Sequence, residues 1–187
     1  MAIQAPSLPT YFPYPHQYIH LFTATDGEHL RIRPIRPADE PLMVRFHASL
    51  SRETVYARYF EMLGLAARTA HERLRHICRP DLEREAVLVA EQTFEGQPRI
   101  VAVGRLELSA DRKEAEAALL VGDRWQGRGI GSELLKRLIG VARVEGVRLI
   151  WAEMLGTNMA MRRTAEACGF LFIDEAISLT TRAELRL

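Results

Sequence analysis

The clearest chemistry lies in one stretch, Leu119-Leu120-Val121-Gly122-Asp123-Arg124-Trp125-Gln126-Gly127-Arg128-Gly129-Ile130-Gly131-Ser132. An apolar run that reads as a strand passes into a loop with glycine at alternate positions, and the loop opens a helix. Glycine has no Cβ, so the backbone at Gly127, Gly129 and Gly131 can lie close against a ligand. The first turn of a helix leaves N–H groups unpaired and carries the positive end of the helix dipole. Together these features suit a pyrophosphate, and Arg124 and Arg128 add positive charge. Two other phosphate loops fit poorly. A P-loop places Lys and Ser/Thr after its last glycine, whereas Gly131 is followed by Ser132 and Glu133. A dinucleotide loop spaces its glycines G-x-G-x-x-G inside a βαβ unit. Here the third glycine comes one residue early, and the preceding strand belongs to a series joined by short turns.

Those strands are the frame. Apolar runs at 86–90, 100–108 and 114–121, with turns at Glu95-Gly96-Gln97-Pro98 and 109–113, predict an antiparallel meander. Helix follows over 130–144, with Leu134, Leu138, Val141 and Ala142 as its apolar stripe and Glu133 facing Arg137. A strand is expected at 147–155. Asn158 then caps a helix to about 167, and strand resumes at 170–173. The segment 182–187 reads as a closing edge strand. Upstream, Asp26-Gly27 predicts a hairpin turn between 18–23 and 29–33. Leu30 and Ile32 share one face of the second strand, and Arg31 and Arg33 the other. Asp39-Glu40-Pro41 opens a helix with Leu42, Met43, Phe46 and Leu50 at helical spacing, and Thr69-Ala70-His71-Glu72 reads as a capping box for another through Leu74 and Ile77. Residues 1–17 form an extended arm, with Pro6, Pro9, Pro13 and Pro15 around Tyr11, Phe12 and Tyr14. Its aromatics predict packing on its own domain or on a second copy in a homodimer. One domain is expected over 18–187.

Composition sets the outer limits. The 187 residues are 48% hydrophobic and 26% charged, with net charge +1, as in a globular protein with no general affinity for nucleic acid. No apolar run is long enough to span a membrane. Cys78 and Cys168 are too few for a disulfide framework and predict a reducing, cytoplasmic setting. The six histidines show no ligand spacing, so no metal is expected. Arg31, Arg33, Arg36 and Arg45 read as solvated or helix-pairing charges rather than an acidic-partner surface. Trp125 and Trp151 read as packing residues.

The pattern Gln126-x-x-Gly129-x-Gly131 after a strand closely resembles the cofactor loop of the GNAT superfamily of N-acetyltransferases. Asn158, ahead of a helix ending in Cys168-Gly169-Phe170, is similar to the family's second motif, whose asparagine contacts the pantetheine arm. The element order matches from Leu30 to Phe170. A narrower resemblance is to the acetyltransferase domain of bacterial Pat-type protein lysine acetyltransferases. It rests on Ile32-Arg33-Pro34-Ile35-Arg36-Pro37-Ala38-Asp39-Glu40, Ser49-Leu50-Ser51 and Arg58-Tyr59-Phe60. Ala115-Glu116-Ala117-Ala118 stands where those enzymes carry their catalytic glutamate. Pat enzymes join this domain to an acyl-CoA-synthetase-like or cyclic-nucleotide-binding domain. These residues contain neither, so that regulatory input is not expected.

The resemblance implies an α/β fold with a mixed, mostly antiparallel sheet flanked by helices. It implies acetyl-CoA, or another short acyl-CoA, as co-substrate. Leu119, Leu120 and Val121 would pair with pantetheine as a pseudo-strand. Gln126, Gly127, Arg128, Gly129, Ile130, Gly131 and Ser132 would hold the pyrophosphate, and Asn158 the pantetheine. The acceptor is a primary amine, with a protein lysine implied by the Pat likeness. A small-molecule amine is the alternative, and a non-catalytic acyl-CoA-binding regulatory module is the reading from another class.

An amine must lose a proton to attack a thioester, and a lysine of pKa about 10.4 is neutral in only about a thousandth of molecules at pH 7. A carboxylate can take that proton. Glu116 is assigned this role, on the strand face shared by Glu114, Ala118 and Leu120, with Glu107 and Glu114 as alternatives. A β-bulge in this strand would free an N–H for the thioester oxygen. Many relatives place a general-acid tyrosine seven residues after the asparagine. That position is Ala165, so no general acid is named. Cys168 reads as packing rather than a nucleophile. Loops such as 64–70 are expected to build the acceptor pocket.

Overall fold

The strand and helix periods appear in chain order as β1 (His20–Thr23), β2 (His29–Pro34), α1 (Glu40–Ala48), α2 (Arg52–Tyr59), α3 (Leu65–Arg68), α4 (His71–Cys78) and β3 (Glu85–Phe94). They continue as β4 (Gln97–Leu108), β5 (Glu114–Val121), α5 (Ile130–Val144), β6 (Leu149–Leu155), α6 (Met159–Ala167), β7 (Leu171–Ile173) and β8 (Thr180–Arg186). This computed structural model describes residues 16–173 and 178–187. The arm read over 1–17 lies outside the described residues up to position 15, and His16–Tyr18 form a 3-10 turn leading into β1. Among the described residues no helix is long and apolar enough to cross a membrane.

The strands form one open sheet in the order β1-β2-β3-β4-β5-β6-β8-β7. The meander at β3, β4 and β5 is antiparallel, and the pair β5–β6 is parallel. Side chains alternate between two cores. From β3, Leu88 and Ala90 join Leu134, Leu135 and Leu138 of α5. Val87 and Val89 join Met43 and Phe46 of α1, Val55 of α2, and Leu74 and Cys78 of α4. Helices therefore cover both faces of the sheet. Each large core side chain stabilises by about 1.5–3 kcal/mol relative to exposure, which is why the stripe of α5 settles on β3 to β5. Glu133 and Arg137 pair as expected, with Nε to Oε1 at 2.7 Å.

Four local expectations need correction. The segment at the C-terminus is a strand, but β8 lies between β6 and β7, and β7 is the edge. Its alternation of Thr181 and Ala183 buried against Thr180 and Arg182 half-buried is that of an interior strand. The turn after β3 is only Glu95-Gly96, both with positive φ, and Gln97 and Pro98 already pair in β4. Thr69 does not cap α4. Its Oγ1 donates to the Leu65 carbonyl at 2.8 Å, so the hydroxyl serves the preceding helix. Arg33 is not solvated: it is 1% exposed.

Arg33 is buried because all five of its N–H donors find acceptors. Nη1 and Nη2 reach Asp39 at 2.7 and 2.8 Å, and Nε and Nη2 reach Glu91 at 3.0 and 2.6 Å. The second Nη1 hydrogen meets the Pro34 carbonyl at 3.1 Å. Asp39 also accepts the Arg36 N–H at 2.7 Å, which ties the exit of β2 to the start of α1. Lysine keeps the charge but cannot reproduce a planar fork. Arg33→Lys is expected to cost about 2 kcal/mol and lower Tm by roughly 4–8 °C, measured by thermal denaturation. An unchanged Tm would show that the network adds nothing to stability.

Candidate active site

β5 keeps an unbroken register with β4, from Ala115 opposite Leu108 to Val121 opposite Ala102. On its other side β6 pairs only at Glu114, Ala115 and Glu116, then diverges. The edge of β5 from Ala117 to Val121 has no strand beside it, and a cleft of about 480 Å³ opens there. No bulge is present in β5: the register shift among the described pairs is at Ala90/Glu91, between β3 and β4. Divergence of the parallel pair supplies the open edge that a bulge was expected to supply.

At the end of that edge, the loop brings Gln126, Gly127, Gly129, Ile130, Gly131 and Ser132 to the cleft wall. Gly127 and Gly129 have φ of +73° and +81°, conformations L side chains rarely adopt. Gly129 caps α5 without a side-chain hydrogen bond, so the N–H groups of the first turn remain available. Gln126 Nε2 donates to Thr54 Oγ1 at 3.0 Å and to the Val121 carbonyl at 3.2 Å. Asp123 accepts from Ser51 N at 2.9 Å, Ser51 Oγ at 2.5 Å and Thr54 Oγ1 at 2.7 Å. Burial opposes ionisation of Asp123, but these hydrogen bonds outweigh it and hold its carboxyl below the usual range. They fasten α2 to the loop.

Arg128 is placed differently from its neighbours. Its Nη1 pairs with Asp26 of the first hairpin at 2.5 Å and its guanidinium lies 4.9 Å from the Trp125 ring centroid. Only its backbone follows the glycine loop. The arginines that line the cleft are Arg58 of α2 and Arg163 of α6, the latter about one turn beyond Asn158. Asn158 Oδ1 caps α6 by accepting from Met161 N at 3.0 Å, and the residue also lines the cleft.

Glu116 lines the middle of the cleft, with Arg58 and Ala57 of α2 on one side and Glu153 of β6 on the other. Burial pushes its carboxyl above the ordinary glutamate range. Arg58 pulls it back, Glu107 raises it, Arg105 lowers it and Glu153 raises it. Glu107 is paired with Arg105 at 3.1 Å, and neither Glu107 nor Glu114 is among the cleft residues. Glu153 accepts from Thr180 Oγ1 at 2.7 Å. Trp125 both packs on the core and lines the cleft, while Trp151 pairs across from Glu116 in β6.

Ala165 is fully buried, so no acid can act from that position. Cys168 Sγ donates to the Ser132 carbonyl at 3.7 Å, and burial raises its thiol pKa, which disfavours the nucleophilic thiolate. Cys78 is buried and pushed up to about 12 by burial, then by Asp39 and Glu40. The 64–70 region contains the short helix α3 and lines neither this cleft nor the second cavity described below. Sequence reasoning missed Glu53, Thr54, Arg58, Glu153 and Arg163 as cleft residues. The signal for α2 was Ser51 ahead of a helix whose Thr54 and Arg58 lie four apart, on one face. For Arg163 it was the Arg162-Arg163 pair soon after Asn158.

Comparison with known proteins gives a consistent result. Residues 29–171 match the family described as "Acetyltransferase (GNAT) domain". An acetyltransferase of Pseudomonas aeruginosa is 31% identical over 146 residues, covering 78% of this chain and 77% of that protein. The acetyltransferase Pat of Mycolicibacterium smegmatis is 32% identical over 153 residues, covering 82% of this chain but only 44% of Pat. The chain thus spans under half of that relative. The crystal structure of the GNAT domain of S. lividans PAT superposes with a TM-score of 0.82 at 29% identity, covering 94% of this chain and all of that one.

Proposed function

The chain belongs to the GNAT acetyltransferase family, and from that premise we propose that it transfers the acetyl group of acetyl-CoA to a primary amine, with Glu116 as general base. The observation that carries this reading is the free edge of β5, which runs from Glu116 to the glycine loop at the start of α5. Pantetheine would lie along that edge and pair with the backbone of Leu119, Leu120 and Val121. The pyrophosphate would sit on the loop from Gln126 to Ser132, with Arg163 as the side-chain cation and Arg128 contributing through its backbone. Asn158 would orient the pantetheine amide.

Glu116 suits proton removal for two reasons. Its raised pKa brings it closer to that of the ammonium it must deprotonate. No hydrogen bond or ion pair among the described residues occupies its carboxylate. The neutral amine attacks the thioester carbon, and an unpaired N–H of the β5 edge stabilises the developing oxyanion. The C–N bond forms, the C–S bond breaks, and the CoA thiolate leaves. A thiol of pKa about 8.5 needs little help to depart and takes a proton from water. The Pat likeness points to a protein lysine as acceptor, a small-molecule amine is the alternative, and either reaction would run in the cytoplasm.

The test is a thiol-release assay with acetyl-CoA and a panel of primary amines, with the product identified by mass. Acetylated amine formed in step with free CoA is the expected result. Tight acetyl-CoA binding with no acetylated product from any amine or lysine peptide would favour a binding module instead.

A further inference from the structure

A second cavity, of about 420 Å³, lies on the sheet face covered by α1, α2 and α4. Strand register fixes its place relative to Glu116. Glu85, Glu107 and Glu116 form one row across β3, β4 and β5, and Val87, Arg105 and Ala118 form the next row on the same face. Val89, Val103 and Leu120 form the row after that. Glu85 of the first row and Val87, Arg105, Ala118, Val103 and Leu120 of the next two line the cavity, so its floor runs from the level of Glu116 to roughly 13 Å further along the strands. Arg58, Ala118 and Leu120 line both spaces.

The cavity has two chemical parts. Val87, Val103 and Leu120, with Met43 and Ile77 opposite, are apolar. Arg58, Arg73 and Arg79 are cationic, and none of them has an ion-pair partner among the described residues. Arg105, by contrast, is paired with Glu85 at 3.0 Å. Asp81 lines the cavity too, and its Oδ1 accepts the Glu83 N–H at 3.1 Å. The guanidinium carbons of Arg58 and Arg73 lie 5.3 and 5.0 Å from the Tyr59 ring centroid, so two cations converge on one ring. A separate observation concerns His47. It is 1% exposed and lines the cavity, and its Nδ1 has no hydrogen-bond partner. The Nε of Arg73 is likewise buried and unpartnered. Buried polar atoms are nearly always paired. Four lining arginines against Asp81 and Glu85 leave the wall net positive beside these two unpaired atoms, a setting that suits an anion.

We propose that this cavity selects a small acceptor amine whose aliphatic chain ends in an oxyanion, a carboxylate or a phosphate, held by Arg58, Arg73, Arg79 and His47. The proposal rests on the acetyl-transfer reading, which puts the amine at Glu116. The intervening apolar floor takes the methylene chain. An α-amino acid, whose amine and carboxylate share one carbon, is too short to span the apolar floor. The cavity volume is that of a small-molecule site. A protein lysine brings no anion to its far end.

The test compares kcat/KM for 6-aminohexanoate, 6-aminohexyl phosphate and hexylamine, with acetyl-CoA as donor. Wild type should prefer at least one anionic amine over hexylamine by roughly tenfold or more, and the better of the two separates carboxylate from phosphate. Arg73→Gln and Arg79→Gln should each bring that ratio toward unity. Both are partly exposed positions, so the fold should tolerate the changes. A wild type with no anionic preference overturns the proposal. So does a preference that survives both substitutions, or a lysine peptide preferred over all three amines. If no amine is turned over, the acetyl-transfer reading fails and the cavity is judged by calorimetry with hexanoate and hexyl phosphate. Binding to wild type that weakens by roughly tenfold in Arg73→Gln supports the anion site, and absent or unchanged binding overturns it.

Discussion

Glu116→Gln is expected to lower kcat by about 10²–10⁴-fold, the usual range for loss of a general base. Glutamine keeps the shape of the side chain and removes its basicity. Acetyl-CoA affinity should hardly change, because the proposed contacts to the cofactor run through backbone further along β5 and at the start of α5. The pH profile gives a second reading. A base works only when deprotonated, so wild-type activity should fall as pH drops through the Glu116 pKa. Burial raises that pKa, so the acidic limb should lie above the ordinary glutamate range. In Glu116→Gln this limb should flatten. Glu107→Gln and Glu114→Gln serve as controls and should be mild, since neither residue lines the cleft. Retention of most activity in Glu116→Gln would move the base elsewhere, with Glu153 the first candidate. Loss of acetyl-CoA binding would instead make Glu116 structural.

Gly131→Glu should abolish acetyl-CoA binding while leaving the free protein folded. A Cβ at Gly131 would stand 3.6 Å from Val121 Cγ2 and 3.8 Å from Thr164 Cγ2, at ordinary contact distance between two cleft walls. The backbone there is helical, so the substitution brings no left-handed strain, and an acid in the first turn suits the helix dipole. The rest of the side chain would fill the phosphate path and repel its charge. Gly129 is a poorer place for this test. Its Cβ would face Phe22 and Thr25 of the first hairpin, and its φ of +81° would strain any side chain. For wild type, acetyl-CoA at 100 times its Kd should add about 2.7 kcal/mol, or roughly 5–11 °C in Tm for a domain of this size. The variant should show no shift. A rise in Tm equal to that of wild type would sink the assignment of this loop to the cofactor.

What the sequence disclosed was largely local. The glycine loop, the helix it opens, the cap at Asn158 and the strand carrying Glu116 are set by neighbours within a few residues, where spacing is informative. The features that make a cleft of them are not local. β6 parts from β5 after three pairs yet stays paired along its whole length with β8, some thirty residues on. Arg33 alternates with Ile32 as a solvent-facing residue would, and only the arrival of Asp39 and Glu91 around it makes burial tolerable. Thr69 has the spacing of a cap for α4, but the short helix before it competes for the same hydroxyl. Arg58 and Thr54 reach the site because α2 is tied to Asp123, a contact across about seventy residues that no local pattern announces.

The divergence of β5 and β6 also bears on how the molecule comes apart. Three residue pairs join these strands, against ten between β3 and β4. The edge strand β7 is also held by three pairs, so among the interior junctions of the sheet backbone pairing is weakest at one seam, between the block β1–β5 and the block β6–β8. Each block has its own interior ladder, so partial opening there needs less free energy than global unfolding. Side-chain packing also joins the blocks, through α5 on α6, α2 on β6 and the core that Ile150, Ala152 and Ala183 share with α5. An acyl-CoA seated along the seam would act as an interstitial strand, raising the opening energy locally and merging two cooperative units into one.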